Sequence, residues 1–196
     1  MIGHAISPPM AEPARSAAGR DAGGDRWTAP ALTAALVSMG LVNGLCYTFA
    51  VAVMPNLAGA DDRTFVATMQ RFNQNPVFQI TFTAAMVLTP LAAVLHRRHG
   101  RDVAVRWTIA ALVLYGIALA LTFGINVPLN DQIDRAGDPD HIVNLAHVRD
   151  RFEGPWVAAN IVRTLLTTAA VAALARALFL HGRRPSDRSA GPSATP

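Results

Sequence analysis

The sequence predicts an all-α integral membrane protein, a four-helix bundle with both termini in the cytoplasm. Three observations carry that expectation. Of 196 residues, 52% are hydrophobic and only 15% are charged, where a soluble domain of this size carries about 25% charge. Four uncharged runs, Trp27 to Ala60, Phe72 to His96, Trp107 to Asn130 and Gly154 to Ala175, are broken only by Arg163. Each exceeds the roughly 20 residues that cross a hydrocarbon core of about 30 Å. Finally, the arginines sit mostly on one side of these runs.

Taken in order, residues 1–26 and 182–196 are rich in Ala, Gly, Pro, Ser and Arg without apolar periodicity, and read as disordered tails. Residues 27–181 form the membrane domain. Its helices are expected near 29–54, 77–95, 105–126 and 156–179, because unpaired backbone in lipid costs several kcal/mol and leaves helix as the only state for such runs. The first run is too long, and too far behind a polar segment, for the apolar core of a cleaved signal peptide. Pro55 and Pro76 mark the end of helix one and the start of helix two, and Pro128 should unwind the stretch Asn126 to Asn130 where helix three leaves the membrane.

All 17 basic residues are Arg, which with the abundant Ala suggests a bacterial coding bias and so a bacterial inner membrane. Eleven lie on one side (Arg15, Arg20, Arg26, Arg97, Arg98, Arg101, Arg106, Arg176, Arg183, Arg184, Arg188) and five on the other (Arg63, Arg71, Arg135, Arg149, Arg151). The richer side is the cytoplasmic one by the positive-inside rule. Arginines between apolar runs do not make the basic face with stacking aromatics that nucleic acid needs. The lipid bilayer is the expected partner.

Composition also narrows the chemistry. A single cysteine, Cys46, supports neither a disulfide nor a thiolate metal site. No H-x-x-x-H, E-x-x-H or C-x-x-C spacing offers metal ligands, and no glycine-rich phosphate loop or G-x-S-x-G elbow is present. No metal or cofactor is expected. Four helices without an internal repeat also argue against a secondary transporter.

What remains is a set of polar residues at one membrane level. Asn73, Gln74 and Asn75 precede helix two, Asn126 and Asn130 flank Pro128, and Trp156, Asn160 and Arg163 share one face of helix four at i, i+4, i+7. A charge at the depth of Arg163 costs about 2.5 to 3.5 kcal/mol and needs a partner or a wet cavity. Asn43 lies deep enough in helix one to meet it, with Tyr47 one turn nearer the outside. The expected cluster is therefore Asn43, Tyr47, Asn126, Asn160 and Arg163. Trp156 also suits an interfacial anchor, His96 and His99 the cytoplasmic flank, and Gly40 with Gly44 a close helix contact. His141 and His147 are solvated loop histidines or bases.

Four stretches, G-L-C-Y-T-F-A-V-A-V-M-P at 44–55, F-V-A-T-M-Q-R-F-N-Q-N-P-V-F at 65–78, N-V-P-L-N at 126–130 and F-E-G-P-W-V-A-A-N-I-V-R-T at 152–164, resemble the anthrone oxygenase-like family of small four-helix membrane proteins. The resemblance covers residues 32 to 180. It carries the family's recurrent positions onto Met69, Gln70, Asn73, Asn75, Pro76, Asn126, Pro128, Asn130, Trp156, Asn160 and Arg163, while Asn43 and Cys46 depart from it. It implies a cofactor-independent oxygenase of a lipophilic anthrone or phenolic substrate. Arg163, Asn160 and Asn126 would be its catalytic residues and hold the developing oxyanion. Asn43, Tyr47, Asn73, Asn75, Asn130 and Trp156 would contact the substrate, with His147, Asp131 or Asp134 as base. The residues themselves suit equally a non-enzymatic membrane protein that binds a quinone, lipid or partner helix through the same cluster.

Overall fold

The computed structural model describes residues 13–97 and 103–183, with side chains from Trp27 onward. It is all-helical among those residues: α1 (Pro13–Thr48), a π-helical turn π1 (Phe49–Val53), α2 (Met54–Ala58), α3 (Asp62–Asn73), α4 (Pro76–Arg97), α5 (Val103–Leu121), a second π-turn π2 (Thr122–Asn126), α6 (Val127–Arg135) and α7 (Leu145–Gly182). Four continuous helical units, Trp27–Ala58, Pro76–Arg97, Val103–Arg135 and Leu145–Gly182, are long and apolar enough to cross a membrane.

Three boundaries differ from the sequence expectation, each for a local reason. Helix one begins at Pro13, not near residue 29: proline at a first helical position sacrifices no hydrogen bond, and the Ala- and Arg-containing stretch after it propagates a helix already nucleated downstream. Residues 1–12 and 184–196 of the predicted tails lie outside the described residues. Helix four begins at Leu145, eleven residues before its expected start, with Asn144 accepting from the His147 N–H as its cap. Its first turns carry Arg149, Asp150, Arg151 and Glu153, so they project beyond the apolar run from which the start was placed.

The third correction concerns Pro128. Helix three does not unwind over 126–130; it passes through π2 and continues to Arg135. The Val127 N–H reaches back to the Thr122 carbonyl, the five-residue step of a π-turn, and Pro128 then sits at the start of α6. Helix one repeats the device, with the Met54 N–H on the Phe49 carbonyl and Pro55 following. A π-turn absorbs one extra residue, so the carbonyl left without a donor and the proline ring fall where the ladder is already offset.

Packing differs between the two ends. Toward the terminal end, the core is knit by small residues, Ala35, Ala85, Ala92, Ala111, Ala118, Ala170, Ala173 and Ala177, around Leu32, Met39 and Tyr115, which lets helix backbones approach closely. His96 belongs here: it is fully buried, its Nδ1 bonded to Thr108 Oγ1 at 2.9 Å, and its ring edge-on to His181, not on a solvated flank; His99 lies outside the described residues. Gly40 and Gly44 have open space where a side chain would begin, with no neighbouring atom within 4 Å of that point, so they make no close helix contact within the chain.

At the other end, α3 packs against α6, the end of the third span, and against α7, and forms a cap with them. Asp61 starts α3 by accepting from the Thr64 N–H and hydroxyl, and Phe65, Val66 and Met69 turn its apolar face inward. Gly137, at φ 91°, ends the turn after α6 in the left-handed region that glycine adopts without strain. Its carbonyl and that of Ile133 both accept from Gln70 Nε2 at 2.9 Å. Arg149 clamps α2 and the loop after it to α7 by reaching the carbonyls of Leu57, Ala58 and Ala60 along with Asp62 and Glu153.

Candidate functional site

Beneath the cap the core changes from alanine to aromatic rings, and rigid planar rings leave space. Phe49 meets Phe72, Phe78 and Trp156 with ring centroids 5.1, 5.7 and 5.3 Å apart, and Trp156 stacks on Phe152. These tilted and edge-to-face contacts are favourable pairings of ring quadrupoles. They enclose one side of a cavity of about 380 Å³, within the range of small-molecule sites.

The deep end of the cavity holds Arg163. It is 7% exposed, its Nη2 donates to Asn160 Oδ1 at 2.8 Å, and its Nη1 to Thr122 Oγ1 at 3.3 Å. Its guanidinium lies over the rings of Phe82 and Trp156, 5.4 and 5.9 Å from their centroids. Every one of these partners is neutral. Among the described residues no carboxylate pairs with Arg163, and its Nε–H has no acceptor. Asn160 is itself fixed from behind, donating to the Cys46 carbonyl at 3.0 Å, so it aims the guanidinium without lining the cavity.

One wall is a polar stripe down the third span: Thr122, Asn126, Asn130 and Asp134, with Asp131 beside it. In an unbroken α-helix, at about 100° per residue, the step from Thr122 to Asp134 would rotate a side chain by about 120°. The residue absorbed by π2 cuts that to about 20°, so the π-turn is what lays the stripe along one cavity. Asn126 is 2% exposed; its Nδ2 donates to the Trp156 carbonyl at 3.4 Å, and its Oδ1 has no donor. Asn130 Oδ1 accepts from the Trp156 indole N–H at 2.8 Å. Asn73 closes the cap end, donating to the Asn130 carbonyl and to Asp134 Oδ1.

The structure thus brings together Arg163, Asn126, Asn130, Asn73 and Trp156 at the cavity, with Asn160 behind them. Three expected members lie elsewhere. Asn43 does not reach Arg163: its Oδ1 accepts from Thr167 and Thr168 at 2.9 and 3.0 Å, one turn further toward the terminal end. Tyr47 is 55% exposed on the outer face of helix one, because Cys46 and Phe49 take the inward positions. Asn75 is a helix cap, accepting from the Val77 N–H at 3.0 Å. Of the candidate bases, Asp131 and Asp134 line the cavity, while His147 is exposed outside it and His141 is bonded to Asp138.

Sequence reasoning missed the aromatic lining, Phe49, Phe72, Phe78 and Phe82, and also Cys46 and Thr122. The spacing Phe72, Phe78, Phe82 was available, but in a membrane helix apolar residues face lipid as readily as a cavity. Among the described residues no cluster of metal-ligating side chains forms.

With this geometry in hand, comparison with protein families matches residues 72–173, just over half of the chain, to the family described as anthrone oxygenase. The matched stretch contains most of the cavity wall, from Phe72 through Arg163. No curated protein and no solved structure matches the chain.

Proposed function

The chain belongs to the anthrone oxygenase family, and from that premise we propose that it is a cofactor-independent oxygenase of a lipophilic anthrone or related phenolic, working in a bacterial inner membrane with both termini cytoplasmic and the cap outside. The observation that carries this reading is Arg163: a buried guanidinium whose hydrogen-bond partners are neutral side chains, at the deep end of an aromatic-walled cavity. An uncompensated buried charge is costly, and a flat aromatic anion would both neutralise it and fill the box.

The chemistry follows from the substrate's acidity. Removing a benzylic proton from an anthrone places negative charge on the oxygen across the ring, and the electron-rich anion gives electrons to dioxygen. The new carbon–oxygen bond leads to a hydroperoxide that loses water. One oxygen atom ends as the quinone carbonyl; the other leaves as water with the two benzylic hydrogens. Arg163, its Nη1 anchored on Thr122, supports that anion with its guanidinium charge, in a site where water screens the interaction little. Asn126 supplies a second polar contact. Asp131 and Asp134, at the far end of the polar stripe, are the carboxylates that take the proton.

The test is oxygen uptake by purified protein with a simple anthrone, against a protein-free blank. Wild type is expected to exceed autoxidation, and Arg163→Met to lose about 10²- to 10³-fold, the usual cost of removing one oxyanion donor. No uptake above the blank from folded wild type overturns the oxygenase, and leaves a protein that holds a quinone or lipid in the same box.

A further inference from the structure

The walls of the cavity are not equally closed. At the cap, α3 is tied to α6 and the turn after it by four hydrogen bonds, from Gln70 to the carbonyls of Ile133 and Gly137 and from Asn73 to the Asn130 carbonyl and Asp134. Met69 and Phe65 seal the layer beneath, at 1% and 0% exposure. α3 thus covers much of the aqueous side with a bonded, packed layer, and the lining residues left exposed there, Gln79, Asp131 and Asp134, form a polar and acidic rim that an uncharged flat aromatic does not favour.

The side between α4 and the third span is different. Thr83 and Met86 on α4 and Phe123 on π2 line the cavity and are exposed, Met86 by 42% and Phe123 by 60%, more than side chains backed by a second layer of protein would be. Tyr115, donating to the Phe82 carbonyl at 3.1 Å, ties α5 to α4 beside this gap. Met86 lies ten residues into α4 from Pro76, about 15 Å at 1.5 Å per residue, which is near the middle of a hydrocarbon core of about 30 Å.

We infer that the cavity opens sideways into the bilayer, between α4 and the third span, through a portal framed by Thr83, Met86 and Phe123, and that it draws an uncharged, flat aromatic ligand from the hydrocarbon and not from water. This rests on the reading above that the box binds a lipophilic polycycle. All three framing side chains are uncharged and two are apolar, as a passage at that depth requires, while the charged group that recognises the ligand, Arg163, lies within. A neutral ligand crosses the portal and acquires its charge inside.

The experiment uses the full chain in liposomes, with 9,10-anthraquinone as a probe that binds without reacting, followed by quenching of tryptophan fluorescence. At fixed bulk concentration, the association rate should scale with the probe's mole fraction in the bilayer. Phe123→Ala should raise association and dissociation rates together by about tenfold, and Thr83→Phe should lower both, whereas Gln70→Ala, which loosens the cap, should change neither. Rates that follow the aqueous concentration, or that respond to Gln70→Ala and not to the two portal variants, overturn the portal while leaving the binding site intact. Absence of any binding overturns the portal together with the reading on which it rests.

Discussion

Arg149 and Arg163 stand on the same helix, about four turns apart, and their surroundings are opposite in kind. Arg149 is saturated: Glu153 at 2.7 Å, Asp62 at 3.1 Å, three backbone carbonyls, and the face of Phe65 beneath it at 4.6 Å. Arg163 has two neutral side chains, two ring faces and an idle Nε. The first arginine spends its hydrogen-bonding capacity on holding α2 and α3 to α7. The second has no opposite charge beside it among the described residues, and on the function proposed above its charge is met by the ligand. Two residues of one type on one helix thus differ in the charge of their neighbours, and the proposed function makes the first a fastener and the second a receptor.

The sharpest way to break the comparison is to replace each arginine by methionine, which keeps the stem and removes the charge. Arg163→Met should lose the 10²- to 10³-fold in oxygen uptake while its thermal midpoint stays level or rises, since deleting an unpaired buried charge is often stabilising. Arg149→Met should do the reverse, destabilising by about 1 to 3 kcal/mol because three backbone carbonyls and the partly exposed Asp62 and Glu153 lose a charged donor, with uptake by the protein that remains folded largely kept. Thermal unfolding and oxygen uptake measured on both variants decide it. An Arg163 variant that unfolds, beside an Arg149 variant that is stable and inactive, would reverse the two roles.

How far the sequence foretold this is uneven, and the reason is physical. Length and charge give depth along a membrane helix, so the four spans and the level of Asn126, Asn130, Trp156 and Arg163 were legible. Rotation about the axis was not. In water an apolar stripe reveals the inward face, but lipid is as apolar as a core, and the periodicity vanishes. Hence Tyr47 is expected inside and lies outside, Asn43 faces α7 but one turn beyond Arg163, and Phe49, on the inward face, reads as one more apolar residue. Charge misled in another way: Arg149, Asp150, Arg151 and Glu153 concealed a helix that runs well past the apolar segment.

Pro128 sharpens the same comparison at the level of the backbone. Span one and span three both carry a π-turn followed by proline, yet span one offers Cys46 and Phe49 to the cavity and span three offers Thr122, Asn126 and Asn130. The shared geometry sets direction; the side chains set chemistry. Pro128→Ala restores an N–H to α6 and lets π2 relax toward α-helix, which would turn Asn130 and Asp134 away from Thr122 by about 100°. Uptake should fall by about tenfold, less than for Arg163→Met because Thr122 and Arg163 lie on the near side of the turn. Pro55→Ala, acting on the apolar wall, should have the smaller effect of the two.

The smallest effect expected is one of pH, and it belongs to the fastener side of the comparison. The Thr64 hydroxyl and N–H that bond Asp61 hold its carboxyl below the usual carboxylate range. A carboxyl with a lowered native pKa contributes stability that is complete above its unfolded value, near 3.9, and is lost as the pH falls through the native one. The difference in thermal midpoint between wild type and Asp61→Ala should therefore be constant from neutral pH down to about pH 4 and then shrink as Asp61 is protonated. Among the described residues Arg163 has no carboxylate partner, so the corresponding difference for Arg163→Met should show no such acid dependence. A difference that grows in acid at Asp61, or one at Arg163 that disappears there, would mean that the cap and the cavity are held by other groups than those named.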